Sequence, residues 1–577
     1  LQKNGNRKNK RSKMNGKEIK GAANNEARYS IWSLRPSEDD RLMLDSKWDC
    51  LDKTLRDVGN EAETSPLVAQ LSIQFRPDDE IGQKVDETPA GLKTELNFLI
   101  EANTPCLSAV RTFEDFDGCL FIGVPILLSP EKLFANHVCV DWYCDGVLVQ
   151  HDNPCYIPKD NDCGKSLAVV MTPQSAVHSG AGCEEAFRFT QCVEACPENI
   201  LLGSRPEWTF SRAQDDTNIR VLTYNILSDQ MLSESGSYSY VKPKDALRKK
   251  HRLPRVLHEV LAYQADVICL QEVDSHIFAK LLEPVFRHYN YQGVFTCKQS
   301  VGTNEGCAMF WSLDRFDSVS NPEQNSFAIR DLIPQEEDSD WDGWNKIREL
   351  LEKRPDLQQT LQTLGHVTQM VPLRLRVDAK GDNNALPATI IMCNTHLFFH
   401  PDASHIRVIQ ALSLARQSDR IRKQYEKATL VICGDFNSGL RNAGGELLMK
   451  RRVEKNSKNL QTDLNMFQYD GIKPQVEDAT QHQQREEPLQ FNDDFPTLQL
   501  PDTYPTLVSA MSEYPPVTHF VPGFVGTLDH ILVDSSTLVP VSNAPMPTLE
   551  DLSRDTAMPS IHLPSDHVSV VVDLRLI

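Results

Sequence analysis

Residues 431–440 read VICGDFNSGL, in which an apolar run ends abruptly in Gly434, Asp435, Phe436 and Asn437. An unbroken apolar run is typical of a β-strand covered on both faces, and its end places a carboxylate and an amide just beyond the strand. Asp and Asn are also common turn residues, because their side chains bind nearby backbone N–H groups. The stretch alone therefore predicts a buried strand followed by a turn.

The same pattern recurs elsewhere in the chain. The stretches TYN, LQE, NTH, TLDH and SDH each place polar groups at one end of a strand-like run, and these groups are Asn225, Glu272, His396, Asp529, Asp566 and His567. Burying such groups singly costs free energy, so we expect them to converge at one edge around a cation. Carboxylate, amide and imidazole groups without thiolate favour Mg²⁺, with Mn²⁺ as an alternative, over structural zinc. The set suits phosphoester hydrolysis, in which a cation, an Asp–His pair and hydrogen-bond donors stabilise in-line displacement.

The bulk composition is that of an ordinary globular protein, with 577 residues and 40% hydrophobic content. This length suggests about two to four domains. No apolar run reaches the roughly 18 residues of a membrane-spanning helix. A net charge of -20 disfavours a protein that coats nucleic acid, but it is compatible with an enzyme that meets phosphate through a bound cation.

Pattern changes divide the chain into three predicted segments. Residues 1–65 are basic at their start, which is typical of a disordered tail or of an organelle-targeting segment. Residues 66–205 alternate short β-like runs with turns, which predicts an all-β module, either immunoglobulin-like or a simpler set of hairpins. Residues 217–577 predict an α/β catalytic domain, with insertions near 335–370 and 450–515.

The cysteines cluster in the first half of the chain. Nine of the 15 lie between Cys106 and Cys196. A metal site, disulfides and buried thiols would each account for this cluster, and we favour buried thiols in a reducing compartment.

The ordered set YN, QE, NTHL, GDFN, LDH and SDH resembles the exonuclease/endonuclease/phosphatase superfamily. NTHLFFHPDASHIRVIQ and VPGFVGTLDHILVD are similar to its deadenylase branch, and the module around CYIPKDNDCGKSLAVVMTP is similar to that of the 2′,5′-phosphodiesterases. The resemblance implies a four-layer α/β/β/α sandwich that follows an all-β, immunoglobulin-like module.

The resemblance also implies roles for individual residues. Glu272 would be the principal Mg²⁺ ligand, and the implied metal site comprises Glu272, Asp435, Asn437 and Asp566. Asp435 would orient or activate the attacking water, while Asn437 would contact the metal site or the scissile phosphate. The other implied catalytic residues are Asn225 beside Glu272, His396 as a donor to a phosphoryl oxygen, and His567 paired with Asp529.

Two further positions match those at which deadenylases hold an adenine base. These are Pro401 and Phe524, although residues of these types are more often plain turn and core residues. The chain departs from the family pattern at His530, which stands where the motif usually has Tyr, and at His519, which replaces an amide-bearing residue. Both departures concern base selectivity.

The implied activity is a Mg²⁺-dependent 3′-exoribonuclease that acts on poly(A) tails and on 2′,5′-oligoadenylate and releases AMP. Two alternatives stay open, namely a phosphatase or cyclic-phosphate hydrolase acting on a small nucleotide, and a non-catalytic scaffold. The expected partner is single-stranded RNA, with no membrane and no stable protein partner. The resemblance implies the mitochondrial matrix, with the cytoplasm as the alternative.

Overall fold

A computed structural model describes four strands before residue 112 and most of the chain after residue 117. The described residues are 32–36, 68–74, 95–102, 106–111, 118–133, 135–175, 184–210, 218–235, 238–300, 302–334, 336–376, 389–400, 403–455, 457, 460, 495–511 and 517–577. Described residues within 1–107, 132–138 and 172–184 belong to one compact unit, and those within 108–131, 139–171 and 185–577 belong to a second. The predicted boundaries at 65, 205 and 217 stay predictions, and most of the basic segment lies outside the described residues.

The described part of the N-terminal half is built from strands, as its alternating pattern predicts. The strands are β1 (Trp32–Pro36), β2 (Val68–Gln74), β3 (Glu95–Ala102), β4 (Cys106–Arg111), β5 (Leu120–Phe121), β6 (Ile126–Leu127), β7 (Ser129–Leu133), β8 (His137–Cys144), β9 (Val147–Gln150), β10 (Cys155–Tyr156), β11 (Ser166–Gln174) and β12 (Glu185–Glu194). They form sheets in the orders β1-β3-β2, β4-β7, β10-β6 and β5-β12-β11-β8-β9. The immunoglobulin-like arrangement of this module stays a prediction.

The α/β part contains two large sheets. Sheet one has the order β15 (Tyr291–Cys297), β16 (Glu305–Ser312), β14 (Val267–Asp274), β13 (Asn218–Asn225), β29 (Val570–Leu576) and β28 (Leu538–Asn543). Sheet two has the order β17 (Phe316–Ser318), β19 (Val367–Leu375), β20 (Thr389–His396), β21 (Thr429–Asp435), β27 (Asp529–Asp534) and β24 (Leu507–Ser509), and β18 (Ser326–Ala328) also pairs with β19. The GDFN stretch therefore ends an interior strand of sheet two.

The described residues also form α-helices, short 3₁₀- and π-helical segments, and two further two-stranded sheets. The helices are α1 (Ile200–Ser204), α2 (Asp229–Ser235), α3 (Lys249–Ala262), α4 (Ser275–Ile277), α5 (Glu283–His288), α6 (Asp342–Lys353), α7 (Pro355–Thr363), α8 (Ser404–Arg422), α9 (Ala443–Lys450) and α10 (Leu549–Leu552). β22 (Arg452–Val453) pairs with β23 (Leu498–Gln499) in a two-stranded sheet, and β25 (His519–Val521) forms a hairpin with β26 (Phe524–Gly526).

Strand side chains alternate between two cores, which explains the unbroken apolar runs. In β21, Val431 and Cys433 pack in a core that also contains Val221 of sheet one, whereas Leu430 and Ile432 pack in the core formed with α8. On the outer side of sheet one, α3 is held where the hydroxyl of Ser569 donates to Oε1 of Glu259 over 2.7 Å. The sheets and helices thus fit the predicted α/β/β/α order.

The two predicted insertions differ in content. Helices α6 and α7 lie within 335–370, whereas residues 461–494 of the second insertion lie outside the described residues. The described end of that second insertion contributes β24, which pairs with β27 of sheet two. No described helix is long and apolar enough to cross a membrane. All 12 cysteines whose side chains are described are free thiols.

Candidate active site

The register of sheet two places three of the predicted residues in one row. His396 is paired with Asp435 across the parallel strands β20 and β21, and Asp435 is paired with Asp529 across the antiparallel strands β21 and β27. All three are buried. Nε2 of His396 lies 3.5 Å from Oδ2 of Asp435. Three stretches that are far apart in the sequence thus meet at one edge of the sheet.

The backbone around Asp435 is unusual on both sides. Gly434 has a φ of +138°, and a Cβ at this position would lie only 1.9 Å from the carbonyl oxygen of Thr395. Asn437 has a φ of +49°, which turns the chain so that its N–H donates to Oδ1 of Asp435 over 2.8 Å. The Asn437 side-chain amide donates to the carbonyl oxygen of Leu397. This loop fixes the carboxylate of Asp435.

Sheet one contributes Asn225 and Glu272. A register shift between Leu270 and Val273 marks a bulge in β14, and Glu272 within it has a φ of +53°. Such bulges change the direction of a side chain. Nδ2 of Asn225 lies 3.0 Å from Oε1 of Glu272 and 3.1 Å from Oδ2 of Asp435. The amide of Asn225 therefore connects the two sheets at the site.

His567 lies between two carboxylates. Its Nδ1 is 2.8 Å from Oδ2 of Asp529, and its Nε2 is 3.7 Å from Oδ2 of Asp435. Burial disfavours the charged imidazole, but the charges of Asp529 and Asp435 outweigh burial and raise the pKa of His567 to about 10. Burial raises the pKa of Asp435 to about 7, with His567 opposing this rise. The imidazole is therefore held as a cation.

Asp566 is ionised, whereas His396 is neutral. Burial disfavours the ionised form of Asp566, but the hydrogen bond with His519 and the charge of His567 hold its pKa well below the usual range. The hydroxyl of Tyr238 also donates to Oδ2 of Asp566 over 2.7 Å. Burial lowers the pKa of His396 well below its usual value, so this imidazole is neutral.

A cavity of about 820 Å³ opens over these residues. Of the predicted site residues, those that line it are Glu272, His396, Asp435, Asn437, Phe524, Asp566 and His567. Phe524 lies on the β25–β26 hairpin at 45% exposure, with its ring 5.4 Å from that of His519. Pro401 lies outside the described residues. The structure thus brings together every predicted residue that it describes, while their individual roles stay predictions.

The cavity lining also contains residues that the sequence reasoning did not single out, among them Tyr238, Lys298 and Glu305. Lys298 and Glu305 are an ion pair in which Oε2 of Glu305 is buried without a hydrogen-bond partner. Lys298 directly follows β15 and Glu305 begins β16, so they satisfy the same strand-end rule as the predicted residues. Tyr238 does not stand at the end of a strand, so the strand-end rule could not have identified it.

The two departures from the family pattern have different positions. Of the two, only His519 lines the cavity, where its Nε2 lies 3.5 Å from Oδ2 of Asp566. His530 is buried away from the cavity lining, with Nε2 2.9 Å from the carbonyl oxygen of Ser438. His530 is therefore a packing residue of the interior, whereas His519 lies at the cavity surface beside Asp566.

The donor set fits a hard divalent cation. Clusters whose ligand atoms all lie within 4.8 Å of one another are formed by Asp435, Asp529 and His567, and by His519, Asp566 and His567. Oδ1 of Asp529 and Nδ1 of His396 are buried without a hydrogen-bond partner. The residues that the resemblance assigns to the metal, namely Glu272, Asp435, Asn437 and Asp566, offer carboxylate and amide oxygens without a thiolate, which suits Mg²⁺ or Mn²⁺ better than structural zinc.

Comparisons with known proteins show several similar sequences. Human 2′,5′-phosphodiesterase 12 is 28% identical over 462 residues, covering 79% of this chain and 65% of its own length. Its bovine counterpart is 30% identical over 433 residues, covering 74% of this chain and 62% of its own length. The chain thus spans less than two thirds of these relatives. Carbon catabolite repressor protein 4 homolog 1 of Arabidopsis thaliana is 28% identical, covering 62% of this chain and 57% of its own length.

A solved structure of ANGEL2, described as a 2′,3′-cyclic phosphatase, has a TM-score of 0.45 and 21% identity, covering 62% of this chain and 96% of its own. Residues 222–567 match the Endonuclease/Exonuclease/phosphatase family. This range contains the residues from Asn225 to His567 that meet at the cavity. The resemblance inferred from the motifs is confirmed, and the chain belongs to the Endonuclease/Exonuclease/phosphatase family.

Proposed function

We propose that this protein is a Mg²⁺-dependent phosphodiesterase that removes nucleotides from the 3′ end of poly(A) tails and from 2′,5′-oligoadenylate, releasing AMP. The observation that carries the proposal is the convergence of three donors on one buried oxygen, Oδ2 of Asp435. Nδ2 of Asn225 and Nε2 of His396 and of His567 lie 3.1, 3.5 and 3.7 Å from this oxygen at the cavity.

The oxygens of Glu272, Asp435, Asn437 and Asp566 would hold the cation. When bound, Mg²⁺ would polarise a phosphoryl oxygen and offset the negative charge of the reacting phosphodiester. Glu272 is fixed for this task on two sides, because Asn225 donates to Oε1 and the N–H of Ser228 donates to Oε2. Such fixed ligands need little rearrangement when a cation binds.

Asp435 and His567 would carry the proton and charge changes of hydrolysis. Asp435, with its pKa raised to about 7, is suited to orient the attacking water and accept its proton. His567, kept cationic by Asp529, donates to the phosphoryl oxygens as negative charge develops. The neutral imidazole of His396 adds a second donor. The water oxygen forms the new bond to phosphorus, and the bond to the leaving oxygen breaks.

The adenylate preference is proposed from the cavity mouth and from the relatives. Phe524 exposes its ring beside His519, which provides an apolar face on which a base stacks. The resemblance assigns a second stacking position to Pro401, which lies outside the described residues. Relatives carry the names 2′,5′-phosphodiesterase 12 and CCR4-Not complex 3′-5′-exoribonuclease subunit Ccr4. Both names describe cleavage of internucleotide bonds.

The proposal is tested with matched 3′,5′-oligo(A), 2′,5′-oligo(A) and 3′,5′-oligo(U), each with Mg²⁺ or with a chelator. We expect AMP from both adenylates, little product from oligo(U), and none with the chelator or with the Asp435→Asn variant. Release of phosphate from adenosine cyclic phosphates, with intact oligonucleotides, would favour the small-nucleotide hydrolase instead. Inertness toward all of these substrates would leave a scaffold role.

We also propose that the protein acts in the mitochondrial matrix, on single-stranded RNA and without a stable protein partner. This proposal rests on the family resemblance, because the basic residues near the start of the sequence fit a targeting segment and a disordered tail equally. Fractionation of cells, with protease treatment of intact and of lysed mitochondria, distinguishes the matrix from the cytoplasm. Native size determination of the endogenous protein tests the absence of a stable partner.

A further inference from the structure

A second group of metal-binding side chains lies on the N-terminal β module. It consists of Cys139 and Asp141 on β8 and His151 just after β9, and the ligand atoms of these three residues all lie within 4.8 Å of one another. Oδ1 of Asp141 is 3.5 Å from Sγ of Cys139 and 2.7 Å from Nδ1 of His151. None of the three belongs to the cavity of the candidate active site.

The β8–β9 hairpin brings these residues together. Cys139 and Asp141 are two positions apart on one strand and so point to the same face. Beyond β9 the chain stays beside β8, because the N–H of Asn153 donates to the carbonyl oxygen of Val140 over 3.0 Å. The indole of Trp142 donates to the carbonyl oxygen of Asn153 over 2.8 Å. The chain that carries His151 is thereby tied to β8.

Asp152 adds a second carboxylate to the group. Its backbone has a φ of +50°, and its N–H donates to Oδ1 of Asp141 over 3.0 Å. The negative charges of Asp141 and Asp152 both act on the Cys139 thiol. Two carboxylates beside a thiol repel each other's charge, and a bound divalent cation would offset this repulsion.

The distances and donor types suit a tetrahedral ion of the zinc class. Ligand atoms bound to one Zn²⁺ lie roughly 3.3–3.6 Å apart, given metal–ligand bonds of about 2.0–2.3 Å. The separation of 3.5 Å between Cys139 and Asp141 already meets this requirement. The His151 imidazole, now 2.7 Å from Oδ1 of Asp141, must move outward by about 0.6 Å or more, and its side chain is 70% exposed and able to do so.

We propose that Cys139, Asp141 and His151 bind a divalent transition metal of the zinc class, with the charge of Asp152 beside them. The site differs chemically from the active site, because it contains a thiolate and an imidazole rather than mainly oxygen ligands. The metal would hold the segment after β9 against β8, and so stabilise this hairpin. The competing interpretation is a turn in which Asp141 accepts hydrogen bonds and neither Asp141 nor Cys139 binds a metal.

Titration of the chelator-treated full chain with Co²⁺ separates these two interpretations. A Co²⁺–thiolate bond gives a charge-transfer absorption that oxygen ligands cannot produce, so the active site contributes none. We expect this absorption in the wild type and in Cys163→Ser, which removes an exposed thiol of the same module, but not in Cys139→Ser. An absent band, or a band that persists in Cys139→Ser, would overturn the proposal.

A second variant tests the site independently, in case Cys139→Ser does not fold. His151→Ala alters an exposed side chain and should leave the far-ultraviolet circular dichroism unchanged. Zn²⁺ affinity at the thiolate site is measured by competition with a chromophoric chelator. We expect this affinity to fall at least about tenfold in His151→Ala. Affinity equal to that of the wild type would refute the role of His151 and with it the site.

Discussion

Nδ1 of His567 lies 2.8 Å from Oδ2 of Asp529, and both side chains are buried. This pair joins the last motif of the sequence to the start of β27, and it keeps the imidazole cationic beside Asp435. An ion pair of this kind fixes both the charge and the orientation of the ring.

Asp529→Asn should therefore reduce turnover more than it reduces substrate binding. The neutral amide cannot stabilise the charged imidazole of His567, so we expect kcat on oligo(A) to fall about 10²–10⁴-fold. Asp534→Asn is the matched control, because it makes the same substitution at the other end of the same buried strand, away from the cavity lining. Steady-state kinetics of both variants decide the matter, and equal losses would mean that Asp529 acts only through the fold.

Glu272→Gln should weaken binding of the active-site cation. The side-chain shape is kept while the charge is lost, so we expect Mg²⁺ affinity to fall at least about tenfold. The measurement is the rise in melting temperature with increasing Mg²⁺, which reports binding without requiring turnover. Glu352→Gln, at a mostly exposed carboxylate of α6, should respond to Mg²⁺ as the wild type does. A full Mg²⁺ response in Glu272→Gln would exclude it as a ligand.

Phe524→Ala should reduce discrimination between bases rather than cleavage itself. Loss of one base–aromatic stack costs about 1–3 kcal/mol, so hydrolysis of oligo(A) should fall roughly 5- to 150-fold, and that of oligo(U), whose smaller ring stacks less, should fall less. Val525→Ala is the control, because Val525 is 48% exposed on the same hairpin but does not line the cavity. Equal losses on the two oligonucleotides would argue against stacking at residue 524.

Gly434→Ala should destabilise the fold around the site rather than only reduce the rate of catalysis. The φ of +138° disfavours any side chain, and the added Cβ would lie 1.9 Å from the carbonyl oxygen of Thr395. We expect the free energy of unfolding to fall by about 3 kcal/mol or more, measured by denaturant titration. Gly203→Ala in α1, where nothing lies within 4 Å of the new Cβ, should leave stability nearly unchanged.

Several features of the site could be predicted from the sequence because each is local. A polar group at the end of an apolar run lies at a sheet edge whatever the strand order is, which applies to Asn225, His396 and Asp435. The pairing of His396 with Asp435, and of Asp435 with Asp529, required the order of strands in sheet two. That order depends on long-range packing, which a single sequence does not encode in any short pattern.

The residues that were missed lack a local signal of sufficient specificity. Lys298 and Glu305 stand at strand ends, but Lys and Glu are so frequent in surface loops that their type carries little information. Tyr238 binds Asp566 across 328 positions of the chain. The bulge that turns Glu272 likewise arises from the mismatch between β14 and β16, not from the residues LQE alone.

His530 makes a prediction about stability at acid pH. Burial lowers its pKa to about 4, against 6.5 for a free side chain, and Nε2 lies 2.9 Å from the carbonyl oxygen of Ser438. Because the unfolded chain binds the proton more readily, this residue's contribution to stability is complete above pH 6.5 and is lost as the pH falls towards 4. Between pH 7 and 4.5 the free energy of unfolding should fall by about 2–3 kcal/mol more in the wild type than in His530→Gln. His276→Gln, at an exposed histidine, should follow the wild type, and parallel curves for all three proteins would show that His530 is not held neutral by its burial.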